Sequence, residues 1–223
     1  MTLKNVFSTS THFLHKHRLM LVPLFFGIFI PLLVFGKLAE EVWEHEGFDW
    51  DIPILHFIHR FATPVRDNLM VLITDAGGIK VMVPVAGAIF LMLLLRRRQG
   101  HALFFSLAIG GAAVLNFLAK LFFRRTRPHL WISPVSEHDY GFPSGHAMGS
   151  MAVITALVIL TWSTRWRWPI LIFGSLFVLA VGLSRLYLGV HFPSDIMAGW
   201  VASLAWVMGV YMILSNRFWP GVK

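Results

Sequence analysis

Apolar residues run in long blocks along this chain, broken by short polar punctuation. Six blocks approach the ~20 residues a bilayer-crossing helix requires. They cover about residues 19–38, 77–95, 101–123, 146–163, 168–187 and 194–215. The pattern predicts an all-α, polytopic membrane protein with six transmembrane helices. The fourth block is short by hydropathy alone. Its small residues Gly145, Gly149 and Ala152 suit close helix packing, as do Gly110, Gly111, Ala112 and Ala113 in the third. The first block follows the basic stretch His15-Lys16-His17-Arg18. It is longer than a signal-peptide core and has no small-residue cleavage site, so it reads as an uncleaved span.

Between the first two blocks, residues 40–75 mix acids, tryptophans and the alternating run Ile52-Pro53-Ile54-Leu55-His56-Phe57-Ile58. This stretch is expected as an external loop containing a helix that lies at the membrane interface. Gly77-Gly78 then marks a break before the second span. No internal repeat interrupts the series, so residues 1–223 are expected to form one integral membrane domain.

Composition agrees: 57% of the 223 residues are hydrophobic and 13% charged, where a soluble domain carries about 25% charged residues. The net charge of +8 is not gathered on one hydrophilic module, as a nucleic-acid reader would need. No nucleic-acid partner is expected. Cysteine is absent, which excludes disulfides and thiolate metal sites.

The basic residues instead report topology. Lys4, Lys16 and Arg18 precede the first span, Arg96 to Arg98 follow the second, Arg165 and Arg167 follow the fourth, and Arg217 and Lys223 end the chain. These four segments alternate properly to share one side, and none contains Asp or Glu. Both termini are therefore expected to be cytoplasmic. A compact chain with short loops suggests the bacterial inner membrane by analogy.

Three polar clusters interrupt the apolar pattern: Lys120-x6-Arg127-Pro128, Pro143-Ser144-Gly145-His146, and Ser184-Arg185-x5-His191-x3-Asp195. The first ends the third span, the second opens the fourth, and the third joins the fifth to the sixth. Alternating helices place all three at the same, external face. Ionisable groups near a bilayer are expensive and mark function.

The residue types suit phosphoryl transfer, which needs its oxygens neutralised, an in-line nucleophile and an acid for the leaving oxygen. Lys120, Arg127 and Arg185 can clamp phosphate oxygens. Ser144 and the Gly145 N–H, at a helix start, can donate further hydrogen bonds. His146 and His191 are candidates for nucleophile and acid. Asp195, four residues beyond His191 in a helix opened by Pro193, can orient that imidazole. From the residues alone, which histidine takes which role stays open.

Each group also has a structural alternative. Lys120 could snorkel to the interface, Ser144 could be an ordinary N-cap, and Asp195 could be a first-turn acid favoured by the helix dipole. Arg124 and Arg125 read as surface or lipid-headgroup contacts. His12, His15 and His17 belong to a basic arm beside the membrane rather than a metal site. His56 and His59 are assigned to interface polarity, with headgroup contact as the alternative. Tyr187 and His138 could shape a pocket.

The three clusters resemble, at every fixed position, the signature of the type 2 phosphatidic acid phosphatase superfamily: K-x6-R-P, P-S-G-H and S-R-x5-H-x3-D. The match spans Lys120 to Asp195. The resemblance implies that His191 is the nucleophile, forming a phosphohistidine, with Asp195 orienting it and His146 protonating the leaving oxygen. It implies that Lys120, Arg127, Ser144, Gly145 and Arg185 bind the phosphate, with no metal and no cofactor. The implied substrate is a lipid phosphate monoester or diphosphate, such as undecaprenyl diphosphate, phosphatidylglycerol phosphate or phosphatidic acid.

Three other classes remain as alternatives. A non-catalytic lipid transporter would hold its charges at the membrane midplane. An intramembrane serine protease would leave the three cations without a role. A relative of the vanadate-dependent haloperoxidases would share the pocket but not the apolar spans.

Overall fold

Helices alone form the regular structure of the described residues. The structure is a computed structural model and describes residues 22, 24–44 and 47–218, the last three by backbone only. The basic N-terminal arm, the start of the first expected span and the C-terminal Lys223 lie outside the described residues.

A π-helical turn at Phe25–Phe29 leads into α1 (Ile30–Trp43). The short α2 (Asp51–His59) and α3 (Pro64–Ala76) follow. Next come α4 (Ile79–Leu95), α5 (Gln99–Phe123), α6 (Gly145–Thr161), α7 (Arg167–Tyr187) and α8 (Pro193–Phe218). The expected break falls at Gly77 and Gly78: Gly77 ends α3, and Gly78 leaves helical geometry with a ψ of 164° before α4 begins.

Four segments are long and apolar enough to cross a bilayer: Pro64–Leu95, Gln99–Phe123, Arg167–Tyr187 and Pro193–Ser215. Only 6% of the most apolar window of Pro64–Leu95 is buried. Its apolar side chains face outward, an arrangement that suits hydrocarbon and that water would penalise. The protein is an integral membrane protein on this ground. At 17 residues, α6 is shorter than a usual span.

The reason α6 can be short is its position. It packs against α4, α5, α7 and α8, so its polar N-terminal end is shielded by protein. Ala147, Ala152 and Ala156 on α6 are fully buried. Ala152 and Ala156 meet Phe104, Phe105, Ala108 and Ala112 of α5 and Val207 and Val210 of α8 in one core. Small side chains set the spacing, although not at every predicted position. Gly111 lies against Trp206, whereas Gly110 and Gly149 face open space. At Gly199 of α8, an added Cβ would sit 2.9 Å from the Ser144 carbonyl oxygen and 3.2 Å from the Ala147 Cβ. That close crossing brings the start of α8 onto the start of α6. A second cluster of Leu38, Val42, Phe142 and Ala198 fixes α1 and the residue before Pro143 against α8.

Candidate active site

The chain between α5 and α6 and the turn between α7 and α8 meet at one end of the bundle. Ser144 donates its backbone N–H to the Asp195 carbonyl at 3.1 Å, and Gly141 donates to the Arg125 carbonyl at 2.8 Å. Asn116 of α5 donates its side-chain amide to the Pro143 carbonyl at 3.0 Å. These bonds dock the second cluster onto the first and third.

Arg127 connects them further. Its Nη1 donates to the Val190 carbonyl at 2.8 Å and lies 2.9 Å from His191 Nε2. A guanidinium can only donate, so Nε2 must present its lone pair. The imidazole proton then sits on Nδ1, which faces Asp195 Oδ2 at 3.3 Å. Asp195 Oδ2 also accepts from the Phe192 backbone N–H at 2.9 Å. His191 and Asp195 are essentially inaccessible to solvent. Burial first, and then the charges of Arg185, Arg127 and Lys120, hold the His191 pKa well below the ordinary histidine value. The ring is neutral, with one nitrogen aimed at a cluster of cations.

Two carboxylates neutralise those cations. Asp139 pairs with both Lys120 and Arg127, and Glu137 pairs with Arg185. Glu137 also reaches Arg127 at 3.6 Å. Burial alone would raise both carboxyl pKa values. The hydrogen bonds and charges of Lys120 and Arg127 instead pull Asp139 down to about 2, and Arg185 and Arg127 pull Glu137 below its usual range. Lys120, only 8% exposed, also donates to the Tyr140 carbonyl at 2.8 Å. It does not snorkel to the surface. Arg185 is buried and donates to Thr74 Oγ1 of α3 at 2.8 Å.

Within the three polar clusters, two side-chain atoms are fully buried without a hydrogen-bond partner: Ser144 Oγ and Arg185 Nε. Ser144 stands at the N-cap of α6, but its side chain makes no capping bond. A buried donor without a partner costs free energy that an incoming acceptor would recover. Half-buried His146 stands on the first turn of α6, and a Cβ added at Gly78 would lie 3.3 Å from its Nε2. All eight residues singled out in the sequence thus gather at this end. The arrangement can seat a tetrahedral anion between the cations and the His191 lone pair once Glu137 and Asp139 yield.

Several participants lie outside the signature. Glu137, Asp139, Thr74 and Asn116 offered no motif. Arg125 is not a headgroup contact: its side chain is 12% exposed and pairs with Asp195 and Asp51. Arg124 is exposed, with a φ of 48° closing α5, and keeps its surface reading. Tyr187 does not shape the pocket. Its hydroxyl donates to Asp67 at 2.8 Å and accepts from the Thr63 N–H at 3.1 Å, tying α7 to α3.

Known proteins resemble this chain in sequence and in fold. An undecaprenyl-diphosphatase from Sulfolobus acidocaldarius is 29% identical over 185 residues, covering 81% of this chain and 84% of that protein. Phosphatidylglycerophosphatase B from Bacillus subtilis is 28% identical over 146 residues, covering 63% and 71%. The crystal structure of a transmembrane PAP2-type phosphatidylglycerolphosphate phosphatase from Bacillus subtilis shares the fold. Its TM-score is 0.78 at 24% identity, over 86% of this chain and 98% of that one. The PAP2 superfamily model matches residues 99–219, a stretch that contains all three polar clusters, and the chain therefore belongs to the PAP2 superfamily.

Proposed function

We propose that this protein is a membrane lipid phosphatase that releases phosphate from lipid phosphate monoesters or diphosphates through a phosphohistidine. The carrying observation is the His191 lone pair on Nε2, 2.9 Å from Arg127 and backed by Asp195 on the opposite nitrogen. The superfamily and relatives named for undecaprenyl diphosphate and phosphatidylglycerophosphate support the same class.

In the proposed reaction Lys120, Arg127, Arg185, Ser144 and the Gly145 N–H hold the phosphoryl oxygens. The His191 Nε2 lone pair forms a bond to phosphorus while the bond to the leaving oxygen breaks. His146 donates its proton to that oxygen. Water then attacks phosphorus, His146 accepts the water's proton, the N–P bond breaks and inorganic phosphate leaves. Asp195 stabilises the charge that builds on His191. No metal enters these steps.

The proposed arrangement in the membrane has six spans in one domain of residues 1–223, with α2 lying at the interface. Both termini are cytoplasmic, and the pocket opens on the external face. The lipid tail would stay in the bilayer while its headgroup meets the cations.

The test is phosphate release by purified protein in detergent from undecaprenyl diphosphate, phosphatidylglycerol phosphate and phosphatidic acid. Turnover that resists EDTA and is lost in His191→Ala supports the proposal. Chelator-sensitive turnover, or full activity in His191→Ala, would overturn the mechanism. Halide oxidation by vanadate-loaded protein would favour the haloperoxidase alternative.

A further inference from the structure

Arg125 stands two residues before Arg127 but faces away from the phosphate clamp. Its guanidinium reaches Asp195 Oδ1 at 2.5 Å, Ser194 Oγ at 2.7 Å and Asp51 Oδ2 at 2.8 Å. It also lies over the Phe192 ring, 4.4 Å from the centroid. Asp51 is the first residue of α2 and is 2% exposed. It accepts from Ser194 twice, from the backbone N–H at 3.0 Å and from the hydroxyl at 2.6 Å. Two buried carboxylates thus share one guanidinium, and Ser194 bridges that guanidinium to Asp51, in a pocket closed by an aromatic face.

The arrangement constrains Asp195. Its Oδ1 is held by Arg125, and its Oδ2 faces the Phe192 N–H and His191 Nδ1. With one oxygen held, the carboxylate cannot turn about its Cβ–Cγ bond without breaking an ion pair. Oδ2 is therefore kept on Nδ1, and the His191 proton stays there. The geometry points to Arg125 and Asp51 as positioning residues. They act through Asp195 to keep the Nε2 lone pair of His191 directed at phosphorus. Neither touches the cations that would grip the phosphate. The inference rests on the reading of His191 as nucleophile.

Removing Arg125 leaves two buried carboxylates without their shared cation. Asp195 must then turn or take a proton, and Nδ1 loses its acceptor. Supporting groups of this kind typically change rates by about 10–100-fold. The test compares Arg125→Met, Arg125→Lys and Asp51→Asn with wild type in detergent. For Arg125→Met and Asp51→Asn, kcat should fall by about 10–100-fold, while KM and the inhibition constant of inorganic phosphate stay within about two-fold. Arg125→Lys should lie between, and added methylguanidinium should partly restore Arg125→Ala.

A readout independent of turnover is the 15N shift pattern of the His191 imidazole without substrate, assigned by its loss in His191→Gln. Wild type should show the proton on Nδ1, and the variants a mixture of tautomers. Unchanged kcat in Asp51→Asn, or an unchanged tautomer in both variants, overturns the inference. So does affinity for inorganic phosphate falling in step with kcat, which would move Arg125 into the clamp. Should the Arg125 variants not fold, Asp51→Asn carries the test, because it is isosteric and keeps an oxygen for Ser194. Wild type releasing no phosphate would defeat the phosphatase reading, while the tautomer comparison would still decide this one.

Discussion

Asp139 occupies cations that substrate phosphate also needs, so Asp139→Asn should tighten anion binding. Its pKa falls from the ordinary 3.8 to about 2 because Lys120 and Arg127 hold the carboxylate. At ~1.4 kcal/mol per tenfold, that drop corresponds to about 2.5 kcal/mol. The Asp139 side chain is 55% exposed, and solvent screening reduces the competition to about 1 kcal/mol. An incoming phosphate should gain about five-fold in affinity once this competitor is gone. The sign depends on pH. A depressed carboxyl pKa means the pairing is complete above the unfolded value near ~4 and is lost as pH falls through the folded value. The comparison therefore belongs at about pH 7, where the pairing is intact. The assay is the inhibition constant of orthovanadate for wild type and Asp139→Asn, alongside KM for the lipid. An unchanged or weaker inhibition constant would refute the reasoning. It would mean that Asp139 holds Lys120 and Arg127 in the geometry phosphate needs instead of competing for them.

Further outcomes follow from single contacts. Ser144→Ala should not lower the thermal midpoint, because the buried hydroxyl has no partner to lose. The same change should lower kcat/KM by about ten-fold if Ser144 Oγ meets the phosphate, and equal activity would remove it from the clamp. Gly189→Ala should destabilise the protein by about 1–3 kcal/mol in a thermal-shift assay. Gly189 has a φ of +69°, and its added Cβ would lie 2.5 Å from the Trp131 ring; a wild-type midpoint would contradict that packing. Because burial and nearby cations depress His191, its neutral form persists below the ordinary ~6.5, and activity is lost only as pH falls through the lower value. The acid limb of kcat/KM, corrected for ionisation of the substrate, should therefore lie below that value. A limb at or above it would mean that the nucleophile is not so shielded.

The chain by itself determined the helical class, the break at Gly77-Gly78 and which polar clusters meet at one end of the bundle. Helical periodicity and apolar block length are local properties, and a motif such as Ser184-Arg185-x5-His191-x3-Asp195 keeps its members within two helix ends. Alternation of the apolar blocks was enough to bring the three clusters to one face, because each lies at a helix end. What tertiary structure alone decided was who neutralises whom. Asp51 and Ser194 are 143 residues apart, and their bond exists because α2 settles against the start of α8. Arg125 was read as a surface or lipid-headgroup contact because it lies outside the three-part signature. Only the packing of α2 and α8 delivers the two carboxylates that bury it. The carboxylates of Glu137 and Asp139 lie in a non-helical segment with no periodicity to read, and their partners come from α5, α7 and the segment's own beginning. Local pattern decides where an element begins and which way it faces, whereas ion pairing between distant segments depends on how closely the helices approach.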